Sequence, residues 1–513
     1  MTDVRIVTEP LGGTALSRAL QEGRAPAAWT ETVPATVDAW RARVMSRAKE
    51  RDWASRWRCL TAAMEATGDA RKRLERVVSA NGVVITTGQQ PGLFGGPIYT
   101  LSKAVSAVAL ADALEAATGV PTVPIFWAAT DDADFVEASS ASVASQGGLE
   151  VLRSPFAPPA GTPMSLAALG DLSELIERLA AACGSAADAR PLALVRDAYG
   201  ADESRTVGDA FVHLMRALLE PLGMPVLDAS HDAVAAASAE TLRSAMSKAG
   251  DIEVALRDRG AEIRAAGFEP QVEEVAGLSL VFAREGSTKR RLGVNESVSP
   301  DVRLTPNVLL RPVVEHEILP TVAYVAGPGE LAYFAQVSPA ARAMSLDAPV
   351  AVPRWSCTLV EPQVEELMQR LDARESDLAT EGELESRLAR GALDPDATSA
   401  LARLRETLSA LPSWMRGTAE ALDLERAVQG AAGAMQHRAD RLERRLIAAV
   451  KRRETALMSE VATLRAAMRP QVKRQERVLN PIPILARQGL SLVDEMRDAA
   501  RAHASVLVAG KTR

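Results

Sequence analysis

The part of this sequence that most restricts its fold lies at residues 83–104. Residues 83–85 (VVI) are β-branched and predict a buried strand. A loop with the sequence TTGQQPGLFGGP follows, and an alanine-rich stretch at 99–114 then predicts a helix. A second strand is predicted at 120–129 (VPTVPIFWAA). Two strands with a helix between them indicate a β-α-β unit, in which the strands run parallel and the helix covers the sheet.

The same alternation continues along the chain. Helices are predicted at 206–221 and 232–258, on either side of a strand at 224–230, and further strands are predicted near 277–283 and 307–314. These patterns predict an α/β fold with a mostly parallel sheet. Because 513 residues exceed what one hydrophobic core usually serves, we expect two or three structural units.

The composition and the hydrophobic pattern of the sequence change after residue 360. The following hundred or so residues are rich in Glu, Arg, Leu and Ala and carry little strand signal. Apolar residues recur there at heptad spacing, interrupted at Glu454: Val450, Leu457 and Leu464, with Ile447, Val461 and Met468 at the companion position. Breaks at GALDPD (391–396) and near Pro412 predict antiparallel helices in a coiled-coil arm. A helical bundle packed on the core is the alternative.

Composition narrows the functional classes. The net charge of -7 argues against general binding to nucleic acid. The N-terminal sequence does not resemble a signal peptide, and no apolar run approaches the length of a membrane helix, so we expect a cytoplasmic protein. Cys59, Cys183 and Cys357 are far apart and form no C-x-x-C pair, so neither a disulfide framework nor a zinc or other metal site is predicted.

The glycine-rich loop is the first candidate site. Glycines allow a ligand to approach the backbone, and the glutamine amides can donate hydrogen bonds to a carboxylate or phosphate. It matches neither the P-loop nor the dinucleotide fingerprint, and a tight structural turn is the alternative. The candidate ligand-binding residues here are Thr87, Gly88, Gln89, Gln90, Gly92, Tyr99 and Lys103.

The second candidate is the acidic run that ends the strand at 120–129. Asp131, Asp132 and Asp134 lie where the carboxyl end of a parallel strand would open into a site. Carboxylates there can bind an amine, orient a sugar hydroxyl, hold Mg²⁺ or act in proton transfer. Capping of a following helix is the structural alternative.

The third candidate lies at residues 305–334. Asn307 and Arg311 flank the predicted strand, and Arg311 is suited to a bidentate grip on a carboxylate, with a buried salt bridge as the alternative. Gly327, Gly329 and Glu330 form a turn that leads into a helix. The sequence Glu315-His316-Glu317 suggests a metal site, but adjacent strand residues point to opposite faces, so we expect His316 to be structural.

A polar cluster follows the predicted coiled coil. It consists of Gln475, Glu476, Arg477 and Asn480, and it either returns to the core or forms a capped surface turn. The chain has no G-x-S-x-G or H-E-x-x-H motif, which disfavours a hydrolase triad and a zinc enzyme.

Taken together, these stretches resemble the cysteine-adding enzymes of bacillithiol biosynthesis, also called cysteine ligases. The similar runs lie in order between residues 86 and 482: TTGQQPGLFGGPIYTLSKA, VPIFWAATDDADF, NVLLRPVVEHEILPTVAYVAGPGELAYFAQVSP, PVAVPRWSCTLVE and QERVLNPI. Long collinear runs are far more specific than a lone glycine pattern.

The resemblance implies a Rossmann-like ligase core with inserted connecting segments and a C-terminal coiled coil that supports a homodimer. It divides the chain into an N-terminal helical segment (1–80), the core (81–360), an antiparallel coiled-coil arm (361–470) and a segment returning to the core (471–513). It also implies joining of L-cysteine to the amine of glucosaminyl-malate by an amide bond, in the last step of bacillithiol biosynthesis.

The resemblance assigns hypothetical roles to the candidate residues. The glycine loop and the acidic run would line one cleft, with the aspartates as the catalytic set. Asn307 and Arg311 would bind the malyl carboxylates. Because amide formation from a free carboxylate is uphill, we expect ATP or another nucleotide as activator, with a need for Mg²⁺ left open. The cluster at 475–480 is the candidate nucleotide contact.

Two alternatives stay open at the level of sequence. The acidic motif of the family usually contains a histidine where this chain has Ala133. A different amide-forming or adenylating enzyme on the same core, or a dimeric homologue that binds ligand without turnover, is therefore also considered.

Overall fold

The computed structural model describes residues 3–50, 52–200 and 204–510. The chain divides into two compact units. The first contains residues 1–143, 151–360 and 476–513, and the second contains 144–150 and 361–475. The C-terminal segment therefore belongs to the same unit as the central sheet.

The strands are β1 (Arg5–Thr8), β2 (Val83–Gln89), β3 (Thr122–Ala128), β4 (Ser140–Ser145), β5 (Gly148–Arg153), β6 (Val226–Asp228), β7 (Leu278–Glu285), β8 (Thr288–Gly293), β9 (Leu304–Pro306), β10 (Thr321–Ala326), β11 (Ala351–Pro353) and β12 (Cys357–Val360). The helices of the first unit are α1 (Ala15–Gln21), α2 (Val37–Lys49), α3 (Trp53–Met64), α4 (Gly68–Ser79), α5 (Ile98–Thr118), α6 (Phe135–Ala138), α7 (Ser173–Cys183), α8 (Arg190–Tyr199), α9 (Val207–Leu219), α10 (Asp232–Ser247), α11 (Ala249–Ala265), α12 (Arg311–Ile318) and α13 (Pro328–Ala343). The helices of the second unit are α14 (Pro362–Arg370), α15 (Glu383–Gly391), α16 (Pro395–Trp414), α17 (Arg416–Ala421), α18 (Glu425–Arg453) and α19 (Thr455–Met468), and α20 (Ile482–Gln488) and α21 (Ser491–Ala509) return to the first.

The central sheet is parallel and has the strand order β11-β10-β2-β3-β6. The predicted α/β class with a parallel sheet is confirmed, and the β2-α5-β3 unit is the one predicted from residues 83–129. All five strands are parallel, but the chain adds them on both sides of β2: β3 and β6 lie on one side, and β10 and β11 lie on the other. The direction in which the chain adds strands to the sheet therefore reverses at β2. The carboxyl ends of strands at such a reversal form a crevice where ligands bind in open α/β sheets.

Helices cover the sheet on both faces. Helix α5 is buried along most of its length because it packs against β2, β3 and α21. On the opposite face, alternate residues of β3 (Val123, Ile125 and Trp127) join a cluster with Trp53 and Leu60 of α3. This alternation follows from the two-residue period of a strand.

Strands β7, β8 and β9 form a separate antiparallel sheet with the order β8-β7-β9. The prediction of a strand at 307–314 is wrong, because β9 ends at Pro306 and helix α12 begins at Arg311. Pro312 suits the first turn of a helix, where its missing N–H would have no partner. The Asn307 side chain also accepts hydrogen bonds from the Leu309 and Leu310 N–H groups at the start of this helix.

Further along the first unit, the helix predicted at 206–221 is confirmed as α9. The one predicted at 232–258 is instead two helices, α10 and α11, separated at Lys248.

The second unit contains antiparallel helices. Helices α16 and α18 pack together, and Arg405 pairs with Asp440 and Glu443 between them. Asp394 caps the start of α16. The break predicted near 412 is confirmed: Pro412 lies in the last turn of α16, which ends at Trp414, and α17 begins at Arg416. The heptad pattern spans two helices, because α18 ends at Arg453 and α19 begins at Thr455. Glu454, the exception in the pattern, is the residue between them.

Within the described residues, no helix has both the length and the apolar character needed to cross a bilayer. Cys59 is exposed, Cys183 and Cys357 are buried, and all three are free thiols. The same part of the chain holds no group of three or more His, Cys, Asp or Glu side chains arranged for a metal ion.

Candidate functional site

A cavity of about 580 Å³ opens where the carboxyl ends of β2, β3 and β10 meet the antiparallel sheet β7–β9. This volume is within the usual range for small-molecule sites. The cavity brings together ten of the residues predicted from sequence: Gly88, Gln89, Gln90, Lys103, Asp131, Asp132, Asp134, Asn307, Arg311 and Glu330.

Lys103 lies at the base of this cavity and is only 4% exposed. Its Nζ donates to the Gly88 carbonyl at 2.8 Å and to Gln89 Oε1 at 2.9 Å, and it lies 2.6 Å from Glu330 Oε2. Burial lowers the pKa of Lys103, and the Glu330 carboxylate opposes that effect. Lys103 therefore ties the end of β2 to the first turn of α13.

Glu330 joins two cations of the site, the buried Lys103 and the partly buried Arg311. Besides Lys103, it accepts hydrogen bonds from the Tyr324 hydroxyl and the Gly327 N–H, both at 2.6 Å, and Arg311 lies 3.8 Å away. Burial acts to raise the pKa of Glu330, but the charges of Lys103 and Arg311 outweigh it, so the pKa lies below its ordinary value. Both carboxylate oxygens are engaged, so Glu330 positions Lys103 and Arg311.

Arg311 faces the cavity from the first turn of α12. Its terminal Nη2 donates to the Tyr333 hydroxyl at 3.1 Å and to the Tyr324 hydroxyl at 3.5 Å. Asn307 lines the same wall, but its side-chain oxygen is occupied by the cap of α12. Gly327 and Gly329 form the start of α13 and do not line the cavity.

The acidic loop after β3 also lines the cavity. Burial raises the pKa of the half-buried Asp131, the positive charge of Lys289 opposes this, and the negative charge of Asp132 adds to it. Asp132 Oδ1 accepts from the Asp134 N–H at 2.9 Å, and Asp134 caps α6 by accepting from the Val136 N–H at 3.0 Å. The capping interpretation thus holds for Asp134, while Asp131 keeps a carboxylate that can bind an amine or accept a proton.

The glycine loop has a mostly structural explanation. A Cβ at Gly92 would lie 2.6 Å from the Gly96 Cα, and one at Gly88 would lie 2.7 Å from the Trp127 carbonyl oxygen, so neither position accepts a side chain. Of the loop glycines only Gly88 lines the cavity. The loop is therefore a tight turn that sets the position of Gln89 and Gln90.

The polar residues around the loop differ in how fully they are bonded. Gln89 is engaged on both sides of its amide, with Lys103 and with the Tyr99 hydroxyl. The Thr87 hydroxyl donates to the Val325 carbonyl, so Thr87 and Tyr99 support the site without lining the cavity. The Gln90 side chain faces the cavity and has no hydrogen-bond partner within the described residues.

The predicted nucleotide contacts at 475–480 lie outside the cavity lining. Glu476 is 1% exposed and pairs with both terminal nitrogens of Arg354, at 2.7 and 2.8 Å. The Asn480 amide donates to the carbonyls of Leu93, Phe94 and Gly96 and so holds the glycine loop. Gln475 donates to the Ala467 carbonyl, and Arg477 is exposed. A nucleotide-binding role for these residues stays a prediction.

Several lining residues were missed by the sequence analysis. Tyr333 is among them, and the antiparallel sheet adds four more: Phe282, Lys289, Arg291 and Pro306. Lys289 Nζ donates to the Asp131 carbonyl at 2.6 Å and lies 4.8 Å from the centre of the Phe282 ring. Alternation within the sequence TKRRLG would have placed Lys289 and Arg291 on one face of a strand.

The Glu315-His316-Glu317 stretch lies in α12, buried and outside the cavity lining. His316 is 3% exposed, and its backbone carbonyl accepts a hydrogen bond from Arg47. These observations agree with a structural position for His316, although the stretch is a helix and the strand argument does not apply.

Two family models match this chain. Residues 32–298 and 294–355 match the N-terminal Rossmann-like domain of the bacillithiol biosynthesis protein BshC, and residues 357–505 match its C-terminal coiled-coil domain. The Rossmann-like core and the coiled-coil domain predicted from sequence are thereby confirmed.

Curated relatives match over most of their length. Proteins named "Putative cysteine ligase BshC" from Solibacter usitatus and Koribacter versatilis are each 31% identical to this chain, and each match covers 86% of both sequences. A relative of the same name from Geobacillus kaustophilus is 26% identical over 82% of this chain and 83% of its own length. The chain therefore belongs to the BshC family of bacillithiol biosynthesis proteins.

Proposed function

We propose that this protein is a ligase that joins the carboxyl group of L-cysteine to the amine of glucosaminyl-malate, as the last step of bacillithiol biosynthesis. The observation that carries the proposal is the cavity at the ends of β2, β3 and β10, which brings carboxylates and basic side chains together in one lining. Family membership supports a place in bacillithiol biosynthesis, and the names of the relatives support cysteine as the substrate that is ligated.

The acidic loop suits the amine. Asp131 and Asp132 can hold an ammonium group by charge and hydrogen bonding. When the amine nitrogen attacks the activated carbonyl carbon, the new C–N bond forms, the bond to the leaving group breaks, and the nitrogen must lose a proton. Because burial raises the pKa of Asp131, this carboxylate is a better proton acceptor than an ordinary aspartate, and we assign it that role.

A nucleotide would supply the activation that converts the cysteine carboxyl into an acyl-phosphate or acyl-adenylate. The cavity also fits such a group, because Lys289 lines it and is only partly buried. Oxyanions and phosphate oxygens are stabilised by donors of this kind when water is excluded.

The proposal is tested by incubating the purified protein with L-cysteine, glucosaminyl-malate, ATP and Mg²⁺ and detecting bacillithiol by mass spectrometry. Reactions without cysteine or without ATP are run in parallel. Product that requires cysteine supports the ligase, and its dependence on ATP identifies the activator. Absence of product, beside an active enzyme of the same family, would contradict the proposal and favour ligand binding without turnover or another substrate.

The matched variants are Asp132→Asn and Asp171→Asn. Asp132 lines the cavity, whereas Asp171 is exposed and bonds to Ser173 outside it. We expect Asp132→Asn to lower kcat/KM by about 10²-fold or more and Asp171→Asn to leave it unchanged. Equal activity of the two variants would remove Asp132 from the mechanism.

We also propose a homodimer formed through the second unit. Helices α16 and α18 and the segment between them expose large apolar side chains: Leu404, Trp414, Met415, Leu422, Leu424 and Leu442. Exposed apolar residues grouped in one unit indicate an association surface. A monomer in sedimentation velocity at micromolar concentration would contradict this proposal.

A further inference from the structure

Strand β8 presents its basic residues to two different environments. Lys289 and Arg291 line the cavity, whereas Arg290, between them, is exposed and pairs with Glu285 and Glu296. The two-residue period of the strand produces this division. The same strand therefore carries two adjacent arginines, Arg291 in the cavity lining and Arg290 on the outer surface.

The guanidinium of Arg291 is fixed by a hydrogen bond to the backbone of the neighbouring strand β7. Its Nε donates to the carbonyl of Ser279 on β7 at 2.6 Å, which leaves the two terminal nitrogens for other partners. Burial lowers the pKa of Arg291, and no carboxylate in the described part of the chain opposes that effect. A partly buried cation without a countercharge is costly unless an anion completes its surroundings.

The other cations of the cavity already have partners. Lys103 pairs with Glu330, and Arg311 bonds to Tyr333 and lies near Glu330. Lys289 donates to the Asp131 carbonyl. Arg291 differs from all three, because it lines the cavity with its Nε fixed and no acceptor among the described residues bonds to its two terminal nitrogens.

We infer that Arg291 is a specificity-determining residue that binds a carboxylate of the malyl group of the acceptor. The inference rests on the proposed function. A planar guanidinium fits a carboxylate through two parallel hydrogen bonds, and a lysine does not reproduce that geometry. Arg291 then holds the dicarboxylate end of the acceptor, while the carboxylates of the acidic loop receive its amine. Opposite charges at two places in the cavity lining thus orient the acceptor in one direction.

The test compares Arg291→Gln with Arg290→Gln, two substitutions of the same type on the same strand. We expect Arg291→Gln to raise the KM for glucosaminyl-malate about 10- to 100-fold, with kcat and the KM values for cysteine and ATP nearly unchanged. Arg290→Gln should leave all of these constants unchanged. Arg291→Lys should recover only part of the lost affinity. Matching circular dichroism spectra and thermal midpoints check that all the variants fold.

Calorimetric titration with free malate separates this inference from the proposed function. Malate that binds the wild-type protein and Arg290→Gln but not Arg291→Gln supports the carboxylate subsite, even if no bacillithiol is made. Equal binding to all three proteins, or no binding to any, overturns the inference whether or not the ligase reaction is observed. A rise in the KM for ATP instead of the acceptor would also overturn it, because the anion would then be a phosphate.

Discussion

Glu315 gives a quantitative test of the charge distribution behind the cavity. It lies on α12 one turn after Arg311 and is 1% exposed. Its Oε2 has no hydrogen-bond partner in the described part of the chain, and the Thr86 hydroxyl of β2 faces it. Burial raises the pKa of Glu315 to about 7, and the negative charge of Glu330 adds to this, whereas Thr86 and the charge of Arg311 oppose it.

The sign of the effect on stability follows from this shift. In the unfolded chain, Glu315 loses its proton near its ordinary pKa of 4.5, whereas in the folded protein it keeps the proton to about pH 7. The folded state therefore binds more protons between these values, and stability falls as pH rises through this window. A shift of about 2.5 pKa units corresponds to a loss of about 3 kcal/mol, which is complete above pH 7.

The perturbation is Glu315→Gln, which resembles the protonated acid in shape and cannot ionise. We expect the variant to exceed the wild type in free energy of unfolding by about 3 kcal/mol at pH 8 and by less than about 1 kcal/mol at pH 5. The assay is urea unfolding followed by tryptophan fluorescence at both pH values. The difference in free energy of unfolding between the variant and the wild type should therefore be larger at pH 8 than at pH 5 by about 2 kcal/mol or more.

Glu240→Gln is the matched control. Glu240 is exposed on α10 and has no ion pair within the described residues, so the substitution should change stability by less than about 0.5 kcal/mol at either pH. The reasoning would be refuted if Glu315→Gln differed from the wild type by the same amount at pH 5 and pH 8, or if it were the less stable protein at pH 8.

Two further predictions concern the C-terminal segment. Glu476→Gln leaves the buried Arg354 guanidinium without its countercharge and should lower the free energy of unfolding by about 3–5 kcal/mol; an unchanged urea midpoint would show that the pair is dispensable. Asn480→Ala removes the amide that donates to three carbonyls of the loop at 93–96, and it should lower the free energy of unfolding by about 1–3 kcal/mol. Hydrogen exchange at the Gly95 and Gly96 amides should become faster. Protection from exchange equal to that of the wild type would argue against this role.

The order of the secondary structure in the core could be predicted because its signals are local. The β-branched run of β2 and the apolar run of β3 indicated adjacent parallel strands, and the alanine-rich sequence between them indicated the helix α5. Where β10 pairs in the sheet depends on contacts between residues more than 200 positions apart, such as Tyr324 with Thr86. No local pattern specifies such a pairing.

The one clear error in the core, at 307–314, has a local cause. The apolar residues before and after Arg311 suggested a strand, but Pro312 and the capping side chain of Asn307 favour the start of a helix. A short apolar run does not distinguish a buried strand from a buried helix, and the cap and the proline were the signals that should have decided.

The candidate site was predicted in part. The acidic loop and the end of β2 follow strands of one parallel sheet, so their meeting at its carboxyl edge could be expected. Lys289 and Arg291 come from an inserted antiparallel sheet, and their place on the cavity wall depends on how that sheet packs against the core. Glu476 and Asn480 were predicted as nucleotide contacts; the structure gives both side chains internal partners, and the nucleotide role stays a prediction.

The most direct test of the account is a crystal structure of this protein with bound glucosaminyl-malate. We predict that the acceptor lies in the cavity between β3 and β8, with its amine within hydrogen-bond distance of Asp131 or Asp132 and a malyl carboxylate on the Arg291 guanidinium. An acceptor bound elsewhere, or one bound in this cavity with its amine directed away from the acidic loop, would contradict the proposed site.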